Sequence, residues 1–148
     1  AEKAKTDGCH HAINYSTENF TERVKEITDG KGVPVVYDSV GKETFQGSLD
    51  CLQTFGSLVT FGNASGPVPA VEPLVLMQKG SVTLCRPTLM HYTADHDRRD
   101  KAAAELFNVV GNGHITIEIG QTFHLSETAE AHRALEGRQT IGSTILLP

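Results

Sequence analysis

Positive charge is scarce in this 148-residue sequence: 13 Lys and Arg stand against 18 Asp and Glu, a formal net charge of -5. A protein that grips phosphate backbones nonspecifically needs the opposite sign, and no basic run compensates, so nucleic acid is excluded as a partner. No apolar stretch approaches the ~18 residues that cross a bilayer, and no charged segment followed by an apolar one opens the chain. The expectation is a soluble, cytoplasmic protein with no membrane contact. Cysteine is sparse as well. Cys9, Cys51 and Cys85 are odd in number and far apart, so they build neither a disulfide framework nor a Cys-x-x-Cys zinc knuckle. They are expected to be reduced, buried small hydrophobes. His10 and His11 are adjacent, and no Cys/His pair at zinc-finger spacing follows Cys9, so no metal site is expected. Gly-x-Ser-x-Gly, a Walker lysine loop and His-Glu-x-x-His are all missing, which removes the nucleophile-elbow, nucleotidase and zincin readings.

What is present is a regular alternation. The length is that of one ordinary domain, and 39% hydrophobic with 21% charged residues is a globular balance. Ala12 to Tyr15 reads as a short strand; Ser16 and Thr17 are candidate caps for a helix carrying Phe20, Val24 and Ile27. Asp29-Gly30-Lys31-Gly32 stops that helix, and Val33-Pro34-Val35-Val36-Tyr37 is a β-branched strand with proline near its start. Phe45, Leu49 and Leu52 recur at helical spacing before a buried strand from Gly56 to Gly62. Glu72 to Lys79 predicts a helix entered through Pro73, and Ser81 to Cys85 a strand stopped at Pro87. Ala94 to Asn112 is the longest helical segment, with Ala103, Leu106, Phe107 and Val110 on one face. Ile115, Ile117 and Ile119 alternate as a strand, Ser126 caps a helix through Leu135, and Ser143 to Leu147 is a final strand.

Strands alternating with helices imply βαβ units and a parallel sheet, an α/β fold, whose ligands lie outside the carboxyl ends of the strands. Three places qualify. Phe61-Gly62-Asn63-Ala64-Ser65-Gly66 lets a ligand approach backbone without a Cβ, or is a plain turn. Asp38-Ser39-Val40-Gly41 faces a ribose, or simply caps the next helix, the simpler reading. Tyr15 stacks on a base or is a rim residue, and the rim suffices. His132 shares an apolar stripe with Leu125, Ala129 and Leu135, which marks a core or interface histidine rather than a base. His91-Tyr92 with Asp95-His96-Asp97 reads as a polar loop into a capped helix.

Ala12-Ile13-Asn14-Tyr15, Val36-Tyr37-Asp38-Ser39-Val40-Gly41, Phe61-Gly62-Asn63-Ala64-Ser65-Gly66, Arg86-Pro87-Thr88-Leu89 and the ending Arg138 to Pro148, in this order and spacing, resemble zinc-free, zeta-crystallin-like quinone oxidoreductases of the medium-chain dehydrogenase/reductase superfamily. The resemblance runs through the whole chain. Members of that family are about twice as long, their Gly-rich turn precedes the matching part, and no Gly-x-Gly-x-x-Gly occurs here. The resemblance therefore implies a C-terminal half: residues 1–113 a partial Rossmann-like, doubly wound parallel sheet without its first two strands, and residues 114–148 a return to the catalytic domain. The chain would begin inside the helix after the second strand. The strand at Ala12 would stand without its usual neighbour.

What the resemblance implies for the complete enzyme is hydride transfer from NADPH to a quinone or a related conjugated carbonyl, this stretch alone being inactive. Carried over position by position, Tyr15 lies near the adenosine phosphate end, and Ser39 and Val40 line the cofactor cleft. Phe61, Gly62 and Asn63 approach the nicotinamide ribose, Leu89 sits near the nicotinamide, and Arg138 is a cationic donor. Ala64 replaces a serine common in the family. No residue here is offered as a general acid, and no metal site is implied. Ser81-Val82-Thr83-Leu84-Cys85 would be an edge strand that pairs two copies into a homodimer. Two other readings are a noncatalytic dimerisation or nucleotide-binding fragment, and an enoyl or alkenal reductase of the same superfamily.

Overall fold

A computed structural model describes residues 2–148. Two compact units divide the chain, one as far as His91 and the other Tyr92–Pro148. In the first, α1 (Glu2–Thr6) and α2 (Phe20–Ile27) precede β1 (Val33–Asp38), α3 (Phe45–Asp50), β2 (Leu52–Thr60), α4 (Pro73–Gln78) and β3 (Thr83–Cys85). The strands form a parallel sheet in the order β1-β2-β3. Parallel neighbours need crossovers, and α3 and α4 supply them. The α/β expectation and the helix at the start of the chain both hold.

The core lies between this sheet and its helices. Phe45 and Leu49 from α3 meet Leu52 and Leu58 of β2 and Val82, with Val36, Val75 and Leu84 packed around them. Leu58 is 0% exposed, as expected for a central strand covered by helices. Lys79 pairs with Asp50 across the same layer.

Several local expectations fail for identifiable reasons. Ala12 to Tyr15 forms no strand. Asn14 sets up a turn instead: its side chain accepts from the Ser16 amide at 3.1 Å and its carbonyl from Thr17 at 3.0 Å. A lone extended segment with no strand beside it leaves its amides and carbonyls to such turn chemistry. Neither Ser16 nor Thr17 caps α2; the Asn19 side chain does, accepting from the amides of Thr21 and Glu22. Leu52 belongs to β2 rather than the helix, because the Cys51 carbonyl accepts from the Val33 amide at 2.9 Å and brings Leu52 opposite Val33. β2 then bulges before Ser57 pairs with Val35, and Phe55 takes a φ of 63° there. The strand expected from Ser81 starts at Thr83, since the amides of Ser81 and Val82 turn back to the carbonyls of Met77 and Leu76 in α4. Of the cysteines only Cys51 is buried; Cys9 and Cys85 are exposed. Burial pushes the Cys51 thiol up, keeping it protonated at neutral pH.

In the second unit, α6 (His96–Gly111) is capped by Asp95, as the polar approach suggested, and follows the short α5 (Leu89–Thr93), which spans the boundary. Of the expected apolar face, Leu106 and Phe107 are exposed, Phe107 at 71%, whereas Ala103 and Val110 are half-buried. Ile115 and Ile117 lie outside any strand, because His114 and Ile115 turn back onto the Val109 carbonyl. β4 (Ile119–His124) pairs in parallel with β5 (Ser143–Leu147) through α7 (Thr128–Glu136). His124 rather than Ser126 caps the single 3-10 turn before α7, reciprocally with Glu127. Ala131 is buried there, whereas His132, Leu125, Ala129 and Leu135 are exposed. The buried stripe is therefore offset from the expected one. No helix among the described residues is long and apolar enough to cross a membrane.

Candidate functional site

Because β1, β2 and β3 run parallel, with Asp38 opposite Thr60 and Val59 opposite Cys85, their carboxyl ends share one edge of the sheet. Residues 39–41, 61–66 and 86–89 all leave from that edge, which is where an open parallel sheet binds ligands.

The first two loops are fastened together through their backbones. The Phe61 amide donates to the Asp38 carbonyl at 2.8 Å, Ser65 to the Val40 carbonyl at 2.8 Å, and Lys42 to the Gly66 carbonyl at 3.1 Å. The Ser65 hydroxyl adds a bond to the Val40 carbonyl and accepts from the Glu43 amide. Glycine is required where they touch. A Cβ on Gly41, whose φ is +92°, would stand 2.6 Å from the Gly66 carbonyl oxygen, and one on Gly62 would collide with Ser39. The missing Cβ of Gly62 thus serves loop packing first.

Asp38 sits under this junction, 4% exposed. Its carboxylate accepts from the amides of Val40 (2.8 Å) and Gly41 (2.9 Å), from the Thr44 hydroxyl (2.8 Å) and from the Ser48 hydroxyl (2.8 Å). Burial by itself raises the carboxyl, but the bonds from Gly41, Ser48, Thr44 and Val40 outweigh it and hold it below the ordinary carboxylate range. The residue ties the turn to helix α3 from beneath, its carboxylate engaged by two backbone amides and two hydroxyls. Thr44 and Ser48 were missed in the sequence, although two hydroxyls one helical turn apart after a strand-terminal aspartate are a readable signal.

A cleft of about 260 Å³ opens beside this turn, lined by Tyr15, Ser39 and Val40, by apolar side chains including Ile13 and Val36, and by Asp38, Thr44 and Ser48. Three expected site residues, Tyr15, Ser39 and Val40, meet in it. Phe61, Gly62 and Asn63 follow β2 on the same edge, and the side chains of Ser39 and Asn63 take no hydrogen bond from the described residues. Leu89 opens α5 four residues beyond β3 and is exposed. Arg138 belongs to the second unit, two residues beyond the end of α7, with a φ of 55°. No group of three or more His, Cys, Asp and Glu side chains among the described residues is placed to hold a metal ion.

A parallel α/β sheet with its candidate site at the carboxyl edge of the strands sets the fold class, and the family model for zinc-binding dehydrogenases matches residues 8–146. The chain belongs to that family. Within it, the quinone oxidoreductase of Pseudomonas aeruginosa is 51% identical over the whole chain, and the 2-haloacrylate reductase of a Burkholderia species 49%. The crystal structure of Escherichia coli quinone oxidoreductase complexed with NADPH superimposes on all of the chain with a TM-score of 0.94 at 44% identity. The chain covers 46% of the Pseudomonas protein, 45% of the Burkholderia protein and 46% of the E. coli chain, under half of each. The recognition from five short motifs is thereby upheld.

Proposed function

We propose that this chain is the C-terminal part of a cytoplasmic oxidoreductase that transfers a hydride from NADPH to a quinone. The observation that carries the reading is the cleft at the shared strand edge, which unites Tyr15, Ser39 and Val40 in a fold superimposing on an NADPH-complexed relative. Its chemistry suits a dinucleotide: an aromatic rim, an apolar wall, and the hydroxyl of Ser39, which takes no hydrogen bond from the described residues. Residues Tyr15, Ser39, Val40, Phe61, Gly62, Asn63 and Leu89 would hold the cofactor from the nucleotide-binding part, residues 1–113. Bound there, NADPH supplies the hydride, and the protein supplies orientation and the exclusion of water. Three free cysteines suit a reducing compartment.

We also propose a homodimer. β3 is an edge strand, with β2 on one side only, and such an edge offers unpaired amides and carbonyls to a second copy.

A second reading is favoured by the 49% identity to 2-haloacrylate reductase: the acceptor is a conjugated carboxylic acid rather than a quinone. Steady-state NADPH oxidation by the full-length protein, with 1,4-benzoquinone and with 2-chloroacrylate in parallel, decides between them by kcat/KM. Turnover with neither, despite nucleotide binding, would leave a noncatalytic nucleotide-binding module.

A further inference from the structure

We propose that Asp38 is a positioning residue for the nicotinamide nucleotide, holding the 39–41 turn in the shape that presents Ser39 and Val40 to the cleft. This rests on the reading that the cleft takes NADPH. The turn has almost no backbone left to offer a ligand. The amides of Val40 and Gly41 point inward to the Asp38 carboxylate, while the carbonyls of Ser39 and Val40 accept from Ala64 and Ser65. What faces outward is therefore side chain. The other donors to the carboxylate come from α3, Thr44 at its N-cap position and Ser48 one turn later. One buried group thus links the turn, the helix and, through its own carbonyl and Phe61, the 61–66 loop. A turn fixed before the ligand arrives loses less conformational freedom on binding, and its contacts are set by the shell behind it. Without the carboxylate, two amides and two hydroxyls lose their acceptor and are left to seek water. The turn would then shift, carrying Ser39 and Val40 with it.

The test is made on the full-length protein by titrating NADPH fluorescence and by steady-state turnover. Asp38→Ala is expected to raise the NADPH Kd about ten-fold or more, the size of a lost hydrogen bond to a charged group, with kcat at saturating NADPH within about two-fold of wild type. Leu49→Ala, which opens the core without removing any hydrogen bond to the Asp38 carboxylate, is expected to lower the melting temperature and leave the Kd unchanged. Should Asp38→Ala fail to fold, Thr44→Val removes one donor to the carboxylate and is expected to raise the Kd about three-fold, and Thr44→Ser, which keeps the hydroxyl, to restore it. A Kd unmoved by Asp38→Ala or Thr44→Val, or moved equally by Leu49→Ala, would overturn the positioning role alone. A wild-type protein that binds no NADPH would overturn both this role and the cofactor reading beneath it.

Discussion

Gly62 and Ser39 meet backbone to backbone: a Cβ on Gly62 would lie 2.1 Å from the Ser39 carbonyl oxygen. Neither partner is a flexible side chain, so the loops must separate if Gly62 gains even a methyl group. Gly62→Ala is expected to cost about 1–3 kcal/mol, the range for overpacking a close contact. Gly111, the last residue of α6, has nothing within 4 Å of its Cβ position. There Gly111→Ala is expected to stabilise by about 0.4–1 kcal/mol through the unfolded chain's lost freedom. Urea unfolding of both variants checks the pair, and equal effects would contradict the packing argument.

Thr60 stands opposite Asp38 in the parallel register, and its buried hydroxyl has no hydrogen-bond partner among the described residues. A methyl group of the same shape relieves that desolvation. Thr60→Val is therefore expected to raise stability by about 1 kcal/mol in chemical denaturation. A destabilised variant would mean that the hydroxyl is paired.

Asp38 makes stability depend on pH in one direction. Its folded carboxyl lies below the ordinary value, so its contribution is fully present above about pH 4 and is lost as pH falls through the folded value. Wild-type stability is expected to fall more steeply than that of Asp38→Asn on acidification below about pH 5, the two curves converging. Parallel curves in denaturant titrations at stepped pH would refute this.

The proposed dimer predicts a consequence at β3. Thr83→Pro removes one N–H from a three-residue edge strand and is expected to yield monomers in analytical ultracentrifugation of the full-length protein, with the far-UV circular dichroism retained. A proline variant that dimerises as tightly as wild type places the interface elsewhere.

Much of this architecture is local and could be read directly. The β-branched run from Val33 and the Pro73 entry to α4 follow from backbone preference and apolar spacing within a few residues. The family followed from the order of five short motifs, because order and spacing constrain a chain far more than any one turn does. Long-range partners decided the rest. The apolar run at Ala12 looks like a strand, but a strand exists only through hydrogen bonds to another, and the Asn14 turn satisfies those groups instead. Leu52 carries the helical period, yet its pairing with Val33 makes it sheet. Whether Asp38 faces a ligand or the interior is invisible in Asp38-Ser39-Val40-Gly41, since both roles use the same acceptor; the hydroxyls of Thr44 and Ser48, brought beneath it by the fold, turn it inward. Likewise, the need for glycine at position 62 was legible as a turn, but its reason lies in Ser39, 23 residues earlier in the sequence and in contact only after β1 and β2 have paired.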